Sequence, residues 1–264
     1  MTIAGLPTTL QVTTEGNVAV LRLSRAAKRN ALNDETVHGL RRFFAELPSD
    51  IAAVVLTGEG QHFCSGLDLA EASAMPDTHA AVLHSQMWHR AFHEIQFGRV
   101  PVISVLHGAV VGGGLELAAS THIRVAESSA YYGLPEGQRG IFLGGGGSVR
   151  IPRLIGVARV QDMMLTGRTL SAEEGQAVGI SQYLVAAGTG LAKAMELAHK
   201  VAGNAPLTNL AVIHALPRIA ESDPASGFFT ESLMAAIAET APEAKQRLRD
   251  FLEKRAAKIL PGTN

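Results

Sequence analysis

Cysteine is nearly absent: Cys64 is the single one in 264 residues. One thiol excludes an internal disulfide and a cysteine zinc cluster, and it suits a cytoplasmic protein. Aromatic residues are scarce at 5%, although apolar residues make up 47%. A sizeable core must therefore be built from Ala, Val, Leu and Ile. Neither sign of charge is in excess, with 23 basic against 24 acidic residues and a net charge of −1. That balance excludes a broad nucleic-acid surface, while a local basic patch for a phosphorylated ligand stays open. No apolar run approaches membrane-spanning length, and no basic stretch followed by an apolar one opens the chain. Neither a membrane span nor a secretory leader is expected. The length suits one large domain or two small ones.

What the chain does have is glycine, placed between apolar runs. In Val110-Val111-Gly112-Gly113-Gly114-Leu115-Glu116-Leu117-Ala118-Ala119-Ser120 three glycines follow an apolar run, and good helix formers follow them. Val102 to Leu106 before it reads as a short buried strand. Strand, glycine turn and helix are thus expected, with a backbone open to close ligand approach. A helix start presents unpaired N–H groups that stabilise an oxyanion, and Glu116 stands beside them for acid–base work.

Upstream, alternation over Leu10–Thr13 and the apolar run Val18–Leu23, separated by Glu15-Gly16-Asn17, predict a β-hairpin. Asn33 or Asp34 is placed to cap a helix whose Val37, Leu40, Phe44 and Leu47 share a face. Ala52–Leu56 reads as a buried strand and Gly58–Leu69 as a glycine-punctuated loop. Thr78 is placed to cap a long helix carrying Leu83, Met87, Ala91 and Ile95 four apart, and His122–Val125 reads as another strand. Strands alternating with helices argue for an α/β fold with a parallel sheet. From Ser148 onward the chain reads as mainly helical. Leu191, Met195 and Ala198 line one face of a helix ended by Gly203. Pro206 suits the first turn of the next, and Pro217 should kink or end it. A stripe of Leu248, Phe251, Leu252 and Ile259, flanked by Lys254 and Lys258, marks the last helix.

Most alternative chemistries fail on spacing. Gly112-Gly113-Gly114 misses the dinucleotide fingerprint because Leu117 occupies its third glycine position. Gly144–Ser148 lacks the Gly-Lys-Ser/Thr of a phosphate loop and reads as loop structure. His89 and His93 are four apart on a predicted helix, but Arg90 follows His89 and no third ligand is evident, so no metal is expected. Cys64 lies two residues from His62 and could be a nucleophile, yet a lone cysteine is more often a small hydrophobe. Glu136, in Leu134-Pro135-Glu136-Gly137, is either a surface-turn residue or the partner of Glu116, since two carboxylates at one site divide acid and base roles.

Phe63-Cys64-Ser65-Gly66-Leu67-Asp68-Leu69, Gly112–Ala118 and Leu134-Pro135-Glu136 together resemble the motifs of the crotonase, or enoyl-CoA hydratase, superfamily. The resemblance spans nearly the whole chain. Arg29-Asn30-Ala31-Leu32 is similar to its early coenzyme A segment, Leu165–Arg168 to a segment of the superfamily at large, and Phe251–Arg255 to its C-terminal helix. Gly133–Phe142 resembles the subgroup of methylthioacryloyl-CoA hydratases.

The resemblance implies an α/β spiral of ββα turns over residues 1–200, followed by a C-terminal helical assembly region over 201–264 that builds a homotrimer or homohexamer. It implies a 2-enoyl-CoA substrate whose thioester oxygen lies between the N–H groups of Leu67 and Gly113. Glu116 and Glu136 would hold a water, Glu116 activating it for attack on Cβ and Glu136 protonating Cα. Coenzyme A contacts are implied at Lys28, Asn30, Ala31, Ser65, Gly66, Asp68 and Lys254, with an acyl pocket near Met87, Trp88 and Phe92. Coenzyme A is part of the substrate; no cofactor, metal or nucleic acid is implied. Related enzymes are isomerases, lyases and thioester hydrolases, and a non-catalytic acyl-CoA-binding protein is a further alternative. The presence of Glu at both carboxylate positions favours a hydratase.

Overall fold

The computed structural model describes residue 3 and residues 5–253. Two strands, β1 (Leu10–Glu15) and β2 (Val18–Leu23), pair antiparallel with Leu10 opposite Leu23 and Glu15 opposite Val18. Gly16 turns the chain between them at φ 56°, in the left-handed region that suits glycine. Helix α1 (Asp34–Ala45) is capped by Asn33, whose side chain accepts from Thr36 N. It buries Val37, Leu40, Phe43 and Phe44. Strand β3 (Ala53–Gly58), buried throughout, pairs parallel to β2.

A short α2 (Leu69–Ala72) precedes the long α3 (Thr78–Gln96). Asp77, not Thr78, caps α3: its carboxylate accepts from Ala80 N at 2.8 Å, and Thr78 is the first helical residue. The apolar seam also differs from the expected one. Trp88, Ala91, Phe92 and Ile95 are buried, whereas Leu83, in the first half of the helix, is 50% exposed.

Next come β4 (Val102–Leu106), β5 (Ala109–Val111), α4 (Gly113–Ala119), β6 (Ile123–Glu127) and β7 (Tyr131–Gly133). They are followed by α5 (Gly147–Ile155), α6 (Val157–Thr166), β8 (Leu170–Ser171), α7 (Ala172–Val178), β9 (Tyr183–Val185) and α8 (Gly190–Ala202). Strands β8 and β9 interrupt a region expected to be helical; at two and three residues they are too short to leave a period in the sequence.

The main sheet runs β1-β2-β3-β4-β6-β9 and is parallel except for β1. A second sheet runs β5-β7-β8. Isolated bridges Leu32–Leu67 and Cys64–Val110 continue it through the loops after β2 and β3. Each turn of chain therefore gives one strand to the first sheet, a short extended segment to the second, and then a helix. Within β3 the side chains alternate between two cores. Val54 and Leu56 join the larger one, while Ala53 and Val55 pack with Ala194, Leu197 and Ala198 of α8. Burial on both faces explains why these strands read as continuous apolar runs.

Helices α9 (Pro206–Glu221), α10 (Pro224–Thr240) and α11 (Pro242–Leu252) complete the described chain. Pro206 starts α9 as expected, but Pro217 lies inside it and the helix continues to Glu221. An interior proline removes one hydrogen bond, which does not end this helix. Leu248, Phe251 and Leu252 form an exposed stripe on α11; Lys254, Lys258 and Ile259 lie outside the described residues. The chain divides into two compact units, one ending at Ala202 and the other beginning at Gly203. Among the described residues no helix is long and apolar enough to cross a membrane.

Candidate active site

The site is built where the loop after β3 lies against β5. Cys64 N donates to Ala109 O at 3.0 Å and Val111 N donates to Cys64 O at 3.1 Å, which fixes the loop after β3 against β5. Gly112 makes the turn at φ 54° and α4 starts at Gly113. This register brings Leu67 N beside Gly113: a Cβ on Gly113 would stand 3.3 Å from Leu67 N, and one on Gly66 would stand 3.1 Å from Gly113 N. Among the described residues neither the Leu67 nor the Gly113 N–H makes a backbone hydrogen bond. Two neighbouring unpaired donors at a helix start form an anion-binding pair.

Leu67 and Gly113 line a cavity of about 250 Å³ that Glu116 and Glu136 also line. Glu116 is buried, on the first turn of α4. Its Oε1 accepts from Gly145 N at 2.8 Å and from Gly147 N at 2.7 Å. Burial raises its pKa, opposed by those N–H groups and by the charge of Arg150. Glu136 follows β7 and is also buried, at 6% exposure, so it is not a surface-turn residue. Its Oε2 has no hydrogen-bond partner among the described residues. Its Oε1 faces the Gly112 backbone, where an added Cβ would come within 2.7 Å. Burial pushes its pKa up to about 7, and the nearby Glu116 carboxylate adds to the rise. Burial raises the pKa of both carboxylates, but one is held by two N–H donors and the other is left without a partner on one oxygen.

Of the expected acyl-pocket residues, Trp88 lines the cavity; Met87 and Phe92 do not. The Trp88 ring would lie 2.9 Å from a Cβ on Gly113, and Phe92 packs into the core against it with ring centroids 5.5 Å apart. Spacing alone could not reveal the remaining wall, which includes Leu69, Met75, Ala81, His84, Ile141 and Phe142. His84 Nε2 lies 2.7 Å from Asp34 Oδ1.

The expected coenzyme A residues gather in and around two loops. Ser65 and Gly66 border the cavity, Lys28 is exposed and Ala31 is half-buried. Asn30 is buried, and its side chain ties loops together: Nδ2 donates to Glu59 O and His62 O, and Oδ1 accepts from Arg25 N. Asp68 pairs with Arg25 at 2.9 Å and caps α2, and that pairing lowers its pKa. Lys254 lies outside the described residues.

Cys64 is fully buried, its thiol donates to Asn30 O, and burial pushes its pKa up to about 12. His62 Nδ1 accepts from Ala109 N. The pair is structural. His93 packs against Phe97 with ring centroids 4.9 Å apart, and among the described residues no three His, Cys, Asp or Glu side chains are grouped to hold a metal.

The glycine run Gly144–Gly147 is more than a loop, because it supplies both donors to Glu116. No local pattern announces a contact made 29 and 31 residues away.

Comparison with known proteins gives the same architecture. The model of the enoyl-CoA hydratase/isomerase family matches residues 13–259. The chain is 31% identical over 244 residues to the short-chain-enoyl-CoA hydratase of Clostridium acetobutylicum, covering 91% of this chain and 93% of that one. A solved structure from Rhodopseudomonas palustris, bearing a provisional enoyl-CoA hydratase name, superposes with a TM-score of 0.92 at 57% identity over 98% of this chain and 100% of that one. The enoyl-CoA hydratase structure from Bacillus anthracis gives 0.88 at 28% identity, covering 96% and 99%.

Proposed function

Because the chain belongs to the enoyl-CoA hydratase/isomerase family of crotonase-fold proteins, we propose that it adds water across the double bond of a 2-enoyl-CoA to give a 3-hydroxyacyl-CoA. The observation that carries this reading is the pair of buried glutamates on one cavity with two unpaired N–H groups. A thioester conjugated to C=C is a poor electrophile until its oxygen is polarised. Leu67 N–H and Gly113 N–H receive that oxygen, and attack at Cβ builds enolate charge on it, where the donors stabilise it. The N–H groups of Gly145 and Gly147 favour the ionised form of Glu116, so Glu116 takes the proton of the attacking water on the oxygen they leave free. Glu136, with an unpartnered oxygen and a raised pKa, gives its proton to Cα. One water is consumed: its hydroxyl ends on Cβ, a proton from Glu136 ends on Cα, and the proton taken up by Glu116 returns to Glu136, directly or through solvent, before the next turnover. Isomerisation needs a single shuttling carboxylate and leaves the second buried acid without a purpose.

Turnover across a panel of enoyl-CoA thioesters, including crotonyl-CoA and methylthioacryloyl-CoA, tests the reading. Hydration of at least one member is expected, and no hydrated product from any would refute it. The panel also decides the acyl group.

The pH dependence follows from Glu136. Its acid role requires the proton, so kcat/KM, which reports the free enzyme, should fall as pH rises through about 7. The two carboxylates titrate as a coupled pair, so the observed value belongs to both. A kcat/KM that stays level from below neutrality into the alkaline range would contradict the assignment.

Assembly as a homotrimer or homohexamer, which the family resemblance implies, is supported by apolar residues exposed on the C-terminal helices among the described residues. Phe228, Phe229, Leu233 and Ile237 of α10 are exposed, as is the α11 stripe; faces of this kind gain stability by packing. Sedimentation at micromolar concentration should show a trimer or a multiple of it, and a monomer alone would contradict the proposal.

A further inference from the structure

The two peptides that donate to Glu116 are each held at the opposite edge. A peptide is planar and trans, so its C=O and N–H point in opposite directions. In the Gly144–Gly145 peptide, Gly144 O accepts from Ser85 Oγ at 2.7 Å while Gly145 N donates to Glu116. In the Gly146–Gly147 peptide, Gly146 O accepts from Arg150 N at 3.1 Å and Val149 N at 3.2 Å while Gly147 N donates to the same oxygen. Between them, Gly145 O accepts from Arg150 Nη1 at 3.0 Å, and Arg150 Nε donates to Gln96 Oε1 at 2.6 Å. Space is equally restricted. A Cβ on Gly147 would stand 2.5 Å from Glu116 Cγ, and one on Gly145 would stand 3.2 Å from Glu116 Oε2.

We propose that Ser85 and Arg150 are positioning residues for the hydration reaction: through the Gly144–Gly147 backbone they fix the carboxylate of Glu116 in the orientation that receives the proton of water. The inference rests on the proposed base role of Glu116. Arg150 acts from outside the cavity, on α5, and touches no substrate. Its planar fork bonds Gln96 and Gly145 at once, which an ammonium on a flexible stem does not reproduce. Among the described residues, Arg150 acts on Glu116, Glu116 and Arg139 act on Glu136, Arg153 acts on Arg150, and Arg150 acts on His89.

The test measures kcat, KM and the pH profile of kcat for Ser85→Ala, Arg150→Lys and Arg150→Met on the best substrate of the panel. A misplaced catalytic group costs up to about 10²-fold, so Ser85→Ala and Arg150→Lys should each lower kcat about tenfold or more with KM little changed. Arg150→Met removes charge as well as the bond. Its acid limb, set by ionisation of Glu116, should move to higher pH, because the Arg150 charge holds that carboxyl down. Arg150→Lys should restore the limb and not kcat. A role in stability alone would lower the melting temperature and leave the limb in place. If Arg150→Met does not fold, Ser85→Ala and Arg150→Lys decide by kcat. Wild-type kcat in both, or an unmoved acid limb in folded Arg150→Met, overturns the inference. If Glu116→Gln itself keeps full activity, the base role has failed, and that outcome is distinct from a failure of the positioning residues alone.

Discussion

Glu116→Gln and Glu136→Gln are each expected to lower kcat about 10²–10⁴-fold, the range for loss of a general acid or base. Gln keeps the size of Glu, and its carbonyl oxygen still accepts the N–H bonds of Gly145 and Gly147, but it exchanges no proton as a carboxylate does. Both side chains border one cavity and, in the proposed reaction, act on one water and one substrate. Losing either halts the same step, so the double variant should fall far less than the product of the two single effects. Acyl-CoA affinity should change little, because the Leu67 and Gly113 donors are untouched. Both variants are expected to fold, because Gln keeps the size of Glu and burial disfavours the charged form of both carboxyls. An isomerase predicts another pattern, in which one variant is nearly inactive and the other nearly normal. Kinetics of wild type, both singles and the double distinguish the two.

Gly113→Val is expected to fold and to lose at least about 10² in kcat, the cost of displacing one oxyanion donor, roughly 2.7–4 kcal/mol. Its Cβ would press on the Trp88 ring at 2.9 Å and crowd Leu67 N at 3.3 Å, so both donors and the pocket wall are disturbed together. The ring is backed on one side by Phe92, which is fully buried, and lines the cavity on another. Trp88 is the sole tryptophan, so its emission reports the displacement directly, and circular dichroism shows whether the fold survives. Near-wild-type turnover by a folded variant with altered Trp88 emission would show that the Gly113 N–H is not an oxyanion donor.

Much of the site was legible where chemistry is local in the chain. Strand, Gly112 turn and α4 follow one another, so the apolar run, the glycines and the helix formers announce a helix start with Glu116 on its first turn. The hairpin of β1 and β2 and the Asn33 cap were equally local. What the residues alone left open was burial. Leu134-Pro135-Glu136-Gly137 has turn chemistry, and only tertiary packing takes the carboxylate out of water. The Gly144–Gly147 run was read as loop structure because its partner lies on another helix, as do Ser85 and Gln96, which steady it. The alternation of two sheets was hidden as well: the second is carried by segments of two or three residues and by single bridges, too short for any period to register. On α3 the helical period was evident, but Leu83 stands exposed where the stripe placed it inside, because the first half of that helix borders a cavity and not the core.

Water addition at Cβ is the central claim, and isotope placement tests it most directly. The best enoyl-CoA substrate of the panel, incubated with the enzyme in ¹⁸O-labelled water, should yield the 3-hydroxyacyl-CoA carrying the label in the hydroxyl and none in the thioester. Label in a free carboxylic acid would mean thioester hydrolysis, and an unlabelled product with a moved double bond would mean isomerisation; either result would contradict the account.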